Sequence, residues 1–356
     1  MPSEFHGGLN LEELARVGVD PGNLLDFSTN VNPCGPSPAV RESLAEVDIA
    51  SYPDPSSLAL RTSLARANEV SPDSVLVGNG TADLLWLIGQ TFLSHESIVV
   101  IQGPSFGEYH RASNAAGARV MELRADPPNF QPDIEGLAAV AREQKPDLLF
   151  VCTPNNPTGW IMESEAIERL AEAVEPGHLV LDEAYRGFTD LGPFGRPRLG
   201  NVISLRSMTK DFGLAGLRLG YALAEQEIVE RLTAHQPPWS VNAAAQTAGL
   251  AAIEDTGHLK RSIERCRQWS EDLRSALIDL GALVADTPMH YFLIEVGDGR
   301  STRQRLMAEG ILVRDAASFG LPGWIRIGVR RPEENQRLLE AWVRIQEQAA
   351  GHADVA

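Results

Sequence analysis

Between residues 74 and 224, short and nearly continuous apolar segments alternate with amphipathic stretches, and this alternation limits the folds open to the chain. The apolar segments are SVLVG (74–78), SIVVIQG (97–103), DLLFVC (147–152), HLVLDE (178–183), NVISLR (201–206) and RLGYALA (218–224). Strands that are apolar along their whole length are buried on both faces, as in parallel sheets covered by helices. The pattern therefore predicts an α/β fold whose large domain has a mainly parallel sheet flanked by helices.

After residue 239 the pattern changes, which indicates a second and smaller α/β domain. Long helices are expected first, and shorter strands and a closing helix follow them. A chain of 356 residues is long enough for one large and one small domain. The predicted division is an N-terminal arm over 1–45 that packs with the small domain and the partner subunit, a large domain over 46–245 and a small C-terminal domain over 246–356.

The charge balance narrows the range of partners. The chain has 31 basic and 48 acidic residues, a formal net charge of −17. Such a field repels nucleic acids and anionic membranes, so we expect neither as a partner. It also repels a phosphorylated substrate, so an anion site has to be local, built from arginines and helix N-termini.

The cysteines and the N-terminus point to a cytoplasmic protein. Cys34, Cys152 and Cys266 are widely spaced and form no metal-ligand pattern, so they are predicted to be reduced thiols, and no metal is expected. The N-terminus has no basic start and no apolar core of the kind that a signal peptide needs. No apolar run approaches the roughly 20 residues that span a bilayer.

The segment RSMTKDFGLAGLRLGY (206–221) carries the strongest local signal for chemistry. A strand leads into a hydroxyl-rich turn, then Lys210, a glycine-punctuated loop and Arg218. A lysine that forms a Schiff base needs a fixed position, and Ser207, Thr209 and Arg218 can bind a phosphate beside it. Alone, the motif is also compatible with an ordinary surface lysine before a loop.

Further motifs occur along the chain in an order that resembles one enzyme family. They are YPDP (52–55), VGNGTADLL (77–85), GPSFGEY (103–109), VCTPNNPTG (151–159) and LDEAY (181–185). With the Lys210 segment, they resemble the fold-type I aminotransferase superfamily, whose fold is that of aspartate aminotransferase and whose cofactor is pyridoxal 5'-phosphate (PLP). Within it, the chain is similar to the branch of threonine-phosphate decarboxylases and histidinol-phosphate aminotransferases.

The resemblance implies five contacts to the cofactor ring. Lys210 holds PLP as a Schiff base, and Asp182 faces the pyridine nitrogen. Asn156 and Tyr185 bind the phenolic oxygen, and Phe106 stacks on the ring. Lys210, Asp182 and Tyr185 are the expected catalytic residues. Physical reasoning supports Asp182 independently, because PLP accepts electrons only while its ring nitrogen is protonated, and a buried carboxylate secures that proton.

The resemblance also implies the phosphate and substrate ligands. The expected phosphate ligands are Gly80, Thr81, Ala82, Ser207, Thr209, Arg218 and, from the neighbouring subunit of a homodimer with shared active sites, Tyr52. The expected substrate ligands are His6, Asn156, Arg314 and Arg326. Guanidinium groups bind phosphate or carboxylate through two parallel hydrogen bonds, which suits the two arginines to a small phosphorylated amino-acid substrate.

The segments LDFSTNVNPCGP (25–36) and PPWSVNA (237–243) favour the decarboxylase side of the branch. The first functional expectation is therefore decarboxylation of L-threonine O-3-phosphate to (R)-1-aminopropan-2-yl phosphate in cobalamin biosynthesis. The alternative is a histidinol-phosphate aminotransferase or a related aminotransferase of phosphorylated substrates. Leu9 stands where the branch usually has asparagine after HGG, and Tyr185 is the typical aminotransferase residue.

Two other classes are disfavoured. A non-catalytic binding protein of this fold would not need intact Lys210, Asp182, Asn156 and Arg218. A nicotinamide-binding enzyme is disfavoured because GNGTAD lacks the G-x-G-x-x-G spacing.

Overall fold

The computed structural model describes residues 7–198 and 200–353, so the predicted ligand His6 lies outside the described residues. The chain divides into two compact units. One consists of Gly35–Asn156 and Trp160–Ile263 and is called the large unit. The other, the small unit, consists of the described residues up to Cys34, Pro157–Gly159 and the described residues from Glu264 onward.

Helices and strands alternate along most of the described chain. The α-helices are α1 (Leu11–Val17), α2 (Pro38–Ala45), α3 (Leu58–Asn68), α4 (Thr81–Phe92), α5 (Glu108–Ala115), α6 (Ile134–Gln144), α7 (Ser164–Val174), α8 (Gln226–His235), α9 (Ala243–Glu254), α10 (Thr256–Asp279), α11 (Gly299–Ala308) and α12 (Pro332–Ala353). The strands are β1 (Leu25–Asp26), β2 (Val75–Gly78), β3 (Ile98–Gly103), β4 (Arg119–Arg124), β5 (Leu148–Cys152), β6 (His178–Asp182), β7 (Val202–Ser207), β8 (Gly220–Leu223), β9 (Leu283–Val284), β10 (Tyr291–Glu295), β11 (Ile311–Leu312), β12 (Arg314–Asp315) and β13 (Trp324–Gly328).

The large unit is built on a seven-stranded sheet with the order β2-β8-β7-β6-β5-β3-β4. Neighbouring strands from β7 to β4 run parallel, while β8 is antiparallel to both β7 and β2. The predicted α/β fold with a mainly parallel sheet is confirmed. Strand β4 was not predicted. It lies at the edge of the sheet, its residues are partly exposed, and it begins and ends with an arginine, so it lacks a continuous apolar pattern.

Helices cover both faces of this sheet, and successive strand residues contribute to opposite faces. Leu148 and Phe150 pack in one apolar cluster with residues of α4 and α8. Leu149 and Val151 pack in the other with residues of α6 and α7. Burying each such side chain contributes roughly 1.5–3 kcal/mol, so every position along a central strand is apolar. This two-sided burial produces the continuous apolar segments seen in the sequence.

The small unit has a four-stranded antiparallel sheet with the order β12-β13-β10-β9 and a parallel pair formed by β1 and β11. The pairing of β1 with β11 groups the N-terminal residues with this unit. Its boundaries differ from the predicted domain limits at residues 45 and 245. Helix α9 packs against α2 and α3 of the large unit, which therefore extends to Ile263.

None of the helices described in the structure is both long enough and apolar enough to cross a membrane. Among the described residues, no group of three or more histidine, cysteine or acidic side chains could hold a metal ion.

Candidate active site

The predicted cofactor residues of the large unit gather at the carboxyl ends of its central strands. Asp182 is the last residue of β6 and pairs with Cys152, the last residue of β5. Ser207 is the last residue of the neighbouring strand β7. Asn156 and Lys210 follow within four residues of β5 and three residues of β7. Open α/β sheets bind their ligands at this edge.

Asp182 is buried and is held by two hydrogen-bond donors. The Tyr109 hydroxyl donates to its Oδ2 at 2.8 Å, and the Ala184 backbone N–H donates to its Oδ1 at 3.0 Å. Burial raises the pKa of Asp182, while these two hydrogen bonds and the charge of Lys210 lower it. A carboxylate in this setting is stabilised further by a cationic group beside it, which suits a protonated ring nitrogen.

Tyr109 is a site residue to which sequence reasoning gave no role. Its ring stacks on Phe150 with the centroids 5.0 Å apart, and it meets Phe106 edge to face at 5.8 Å. Burial and the nearby charge of Asp182 raise the pKa of Tyr109 well above its usual range, so its hydroxyl keeps the proton that it donates. The signal was present in GPSFGEY, where Tyr109 follows Phe106 by three residues, and its backbone N–H donates to the Phe106 carbonyl at 3.2 Å in the turn that leads into α5.

The loop after β5 is fixed by the first of its two asparagines. Asn155 donates from Nδ2 to the Pro104 carbonyl at 2.9 Å and accepts from the Ser105 hydroxyl at 2.8 Å. These bonds tie the loop to the segment that precedes Phe106. Asn156, the predicted cofactor ligand, is itself buried next to this anchor.

Three strands and a helix N-terminus converge at the predicted phosphate site. Ser207 lies opposite Gly220 of β8, and Gly220 lies opposite Gly78 of β2. A Cβ atom on Gly220 would lie 2.8 Å from the Thr81 backbone nitrogen, so the first turn of α4 lies against these paired strand residues. No side chain among the described residues caps that turn, since its N-cap residue is Gly80. Its free amide groups favour an anion.

Arg218 and two hydroxyl groups complete this site. A Cβ atom on Gly80 would lie 2.7 Å from Arg218 Nη2, so the guanidinium group occupies the space beside the helix N-terminus. The Ser207 and Thr209 hydroxyl oxygens are 2.6 Å apart, and the Thr209 backbone N–H donates to Ser207 Oγ at 3.2 Å. Amide groups, hydroxyls and a guanidinium group together form a suitable site for a phosphate.

The other predicted residues of the large unit occupy different environments. Tyr185 is buried and directly precedes a short 3-10 helix, Arg186–Phe188. Phe106 is partly buried against the apolar cluster that contains Phe150. Tyr52 is 81% exposed, and its ring stacks on Trp239 with the centroids 4.7 Å apart.

Arg314 and Arg326 lie opposite each other on β12 and β13 of the small unit, and both are buried. Arg314 donates to the Ser318 hydroxyl at 2.6 Å, and Arg326 donates to the Ser28 carbonyl at 2.7 Å. Both guanidinium groups lie over the Phe319 ring, at 5.5 and 5.9 Å from its centroid. Like charges on opposite strand positions repel, and an anion bound to both relieves this repulsion.

Comparisons with known proteins agree on one family. The family described as aminotransferase class I and II matches residues 22–341. The histidinol-phosphate aminotransferase of Akkermansia muciniphila is 32% identical over 345 residues, which are 94% of each chain. Other relatives with that name are 30–35% identical.

Two solved structures are also similar. The histidinol-phosphate aminotransferase of Sinorhizobium meliloti, in complex with pyridoxal 5'-phosphate, is 25% identical with a TM-score of 0.83, and the match covers 96% of this chain and 97% of that one. The L-threonine-O-3-phosphate decarboxylase of Porphyromonas gingivalis is 29% identical with a TM-score of 0.78, and the match covers 90% of this chain and 99% of that one.

Proposed function

This chain belongs to the class I and II aminotransferases, which are PLP enzymes of fold type I, and we propose that it transfers an amino group from a small phosphorylated substrate to a keto acid. Histidinol phosphate and 2-oxoglutarate are the first candidates. The observation that carries the proposal is the similarity to histidinol-phosphate aminotransferases over nearly the full length of the chain. The decarboxylase expected from the sequence motifs has less support and becomes the second candidate.

The residues present fit PLP at both of its ends. The phosphate would lie at the free N-terminus of α4, beside Arg218 and the hydroxyls of Ser207 and Thr209. The pyridine nitrogen would face Asp182, whose burial favours a cationic partner. When bound, PLP withdraws electrons from the α-carbon of an amino-acid substrate.

The protein's own groups then have separate tasks. Asp182, which accepts a hydrogen bond from Tyr109, would hold the proton on the ring nitrogen. Lys210 would hold the cofactor covalently through its amine and, once released by the substrate, would carry the proton at Nζ to and from the α-carbon. Asn156 and Tyr185 are assigned to the phenolic oxygen, and Phe106 to the face of the ring.

We assign substrate recognition to Arg314 and Arg326. Their paired positions and common orientation over Phe319 suit a phosphate or carboxylate. His6 as a further phosphate ligand, a homodimer whose Tyr52 completes the partner's site, and a cytoplasmic location stay predictions.

Decarboxylation of threonine phosphate is the second candidate because the Porphyromonas gingivalis decarboxylase is 29% identical and matches 90% of this chain. The two reactions differ in which bond of the substrate's α-carbon breaks. In transamination this is the bond to hydrogen, and Lys210 is needed as the proton carrier. In decarboxylation it is the bond to the carboxylate. The same pair of arginines suits both poses.

A two-substrate assay tests the proposal. Purified protein loaded with PLP is incubated either with histidinol phosphate and 2-oxoglutarate or with phosphothreonine alone. Glutamate formation in the first mixture, without CO2 release in the second, is the expected result. Release of CO2 from phosphothreonine with no glutamate formed in the first mixture would replace the aminotransferase with the decarboxylase.

A further inference from the structure

A buried ion pair lies one residue away from two of the proposed cofactor contacts. Glu183 directly follows Asp182, and Arg206 directly precedes Ser207. Arg206 is 2% exposed, and its Nε donates to Glu183 Oε2 at 3.1 Å. Within the large unit, this bond links the end of β6 to the end of β7.

The strand geometry places this pair behind the site. The Glu183 backbone N–H donates to the Leu205 carbonyl at 2.8 Å, so the β6–β7 ladder continues one residue beyond Asp182. Successive side chains of a strand point to opposite faces of the sheet. Asp182 and Ser207 therefore share one face, while Glu183 and Arg206 lie on the other, away from the proposed cofactor contacts.

Further hydrogen bonds fix the arginine and its partner. Arg206 Nη1 donates to the Gly195 carbonyl at 2.8 Å and also to Asn68 Oδ1 at the end of α3. The second carboxylate oxygen of Glu183 accepts from Arg186 Nη1 at 3.0 Å. Since each oxygen of Glu183 binds a different guanidinium group, the carboxylate has one defined orientation.

Arg206 also influences the segment that carries Lys210. Asp211, the neighbour of Lys210, packs on the backbone of the turn after β6, since a Cβ atom on Gly187 would lie 2.3 Å from Asp211 Oδ2. The charge of Arg206 lowers the pKa of Asp211, opposing the effect of burial. The arginine thus acts on the segments that carry Asp182, Ser207 and Lys210.

We propose that Glu183 and Arg206 form a positioning pair that, beyond the backbone bond from Glu183 to Leu205, fixes the strand ends proposed to hold the two ends of PLP. This inference rests on the cofactor residues assigned above. PLP carries its ring nitrogen and its phosphate on one molecule, so residues at the ends of β6 and β7 would have to keep a suitable relative position for both contacts to form together. A misplacement of about 1 Å in such a site can lower the rate on the order of 100-fold. A buried ion pair suits this role, because it favours one arrangement more than it adds net stability.

The test compares arginine variants by their cofactor properties. Arg206→Met removes the planar guanidinium group but leaves Glu183 paired with Arg186. Arg206→Lys keeps the positive charge without the guanidinium group. The measurements are the PLP dissociation constant by absorbance titration, the pH midpoint of the bound cofactor's absorbance change, and the unfolding midpoint of the cofactor-free chain. We expect the dissociation constant to rise at least about tenfold in both variants. The pH midpoint should move in the methionine variant and return toward wild type in the lysine variant.

The matched control is Arg303→Met, which breaks the two-bond ion pair with Glu13 in the small unit. It should lower the unfolding midpoint and leave the dissociation constant and pH midpoint unchanged. Unchanged cofactor properties in both Arg206 variants would overturn the inference, as would failure of both to fold, since the pair would then be only structural. If wild-type protein does not bind PLP through Lys210, the proposed function fails instead.

Discussion

The hydroxyl of Tyr109 is the clearest case in which one atom controls a proposed cofactor contact. It donates to Asp182, and its ring is held by Phe150 on one side. A hydrogen bond to a charged group contributes about 1.5–3 kcal/mol, so its loss should raise the pKa of Asp182 further. Tyr109→Phe keeps the ring packing and removes only this bond.

We predict that Tyr109→Phe weakens PLP binding by roughly tenfold or more, because each 1.4 kcal/mol changes an equilibrium tenfold. The loss should be larger at about pH 6 than at about pH 8, since a carboxyl with a higher pKa is protonated more readily at low pH. Titration of the variant and the wild type with PLP at both pH values measures this. Equal PLP affinity of the variant and the wild type at both pH values would contradict a role for this hydrogen bond.

Asp211 gives a pH dependence of stability that can be tested separately. Burial raises its pKa from an ordinary value of 3.8 to about 8. Between about pH 4 and about pH 8 the unfolded chain releases this proton while the folded chain keeps it, so the free energy of unfolding falls as the pH rises. The contribution of protonated Asp211 to the free energy of unfolding is present in full below about pH 4 and is lost by about pH 8. The difference is on the order of 5 kcal/mol.

Asp211→Asn cannot ionise, so it should gain stability relative to the wild type as the pH rises through this window. Urea unfolding of both proteins at about pH 5 and about pH 8 checks the expectation. Parallel changes in the two proteins would show that Asp211 does not titrate as its burial implies.

At this scale the sequence predicted the residues that belong to motifs, and it missed those that act through other residues. Lys210, Asp182 and Ser207 were predicted because their chemistry is visible in short segments, although their roles stay predictions. Tyr109 and Arg206 were not assigned roles. Their partners, Asp182 and Glu183, are distant in the sequence and become neighbours only when β3, β6 and β7 are placed in one sheet.

Among the elements, the N-terminus of α4 gives a testable prediction, because its N-cap residue, Gly80, has no side chain. Gly80 has a φ of +87°, in the region that favours glycine, and a Cβ atom there would lie 2.7 Å from Arg218 Nη2. Gly80→Ala combines backbone strain of about 1–2 kcal/mol with displacement of the arginine. PLP affinity should fall by roughly tenfold or more, measured by titration.

Gly281→Ala is the matched control, since Gly281 has a φ of +81° and no described atom lies within 4 Å of a Cβ atom placed there. It should cost similar stability in thermal unfolding without weakening PLP binding. If the two variants bind PLP equally well, the phosphate does not lie at this helix end.

The strands that position the site were predictable because both faces of the sheet are covered, which makes their sequences apolar throughout. Edge strand β4 escaped prediction, because partial exposure and terminal arginines weaken that pattern. The large unit ends at Ile263 and not at the predicted residue 245, also because the local sequence lacks a signal. Helix α9 packs against α2 and α3, and that contact has no signature in its local sequence.

For the whole molecule, the shared active sites of the predicted homodimer can be tested by mixing variants. Tyr52 is 81% exposed in the single chain, which leaves its hydroxyl accessible to a partner. Tyr52→Ala and Lys210→Ala proteins should each be weak or inactive. Random exchange should produce one complete site in each hybrid dimer, roughly a quarter of all sites.

Activity of the mixture after subunit exchange, compared with each variant alone, measures this complementation. Sedimentation of the wild-type protein provides the control for its assembly state. Full activity in a protein that sediments as a monomer would contradict the shared site.

Anion recognition in a chain with a net charge of −17 has to be local, and the two proposed anion sites agree with this requirement. One lies at the N-terminus of α4 beside Arg218, and the other is the pair Arg314 and Arg326. The sequence indicated the need for such sites from its charge balance. It could not indicate that the two arginines of the small unit are register partners, because strand pairing depends on the tertiary fold.

The assignment of the cofactor to Lys210 is tested most directly by borohydride reduction of the PLP-loaded protein, followed by peptide mass analysis. Reduction makes the linkage between cofactor and lysine permanent. The chain has only two other lysines, Lys145 and Lys260, and both are exposed, so the label can be located without ambiguity. We predict a single pyridoxyl group on Lys210 and none in Lys210→Ala. A label on Lys145 or Lys260, or no label after loading with PLP, would contradict the assignment.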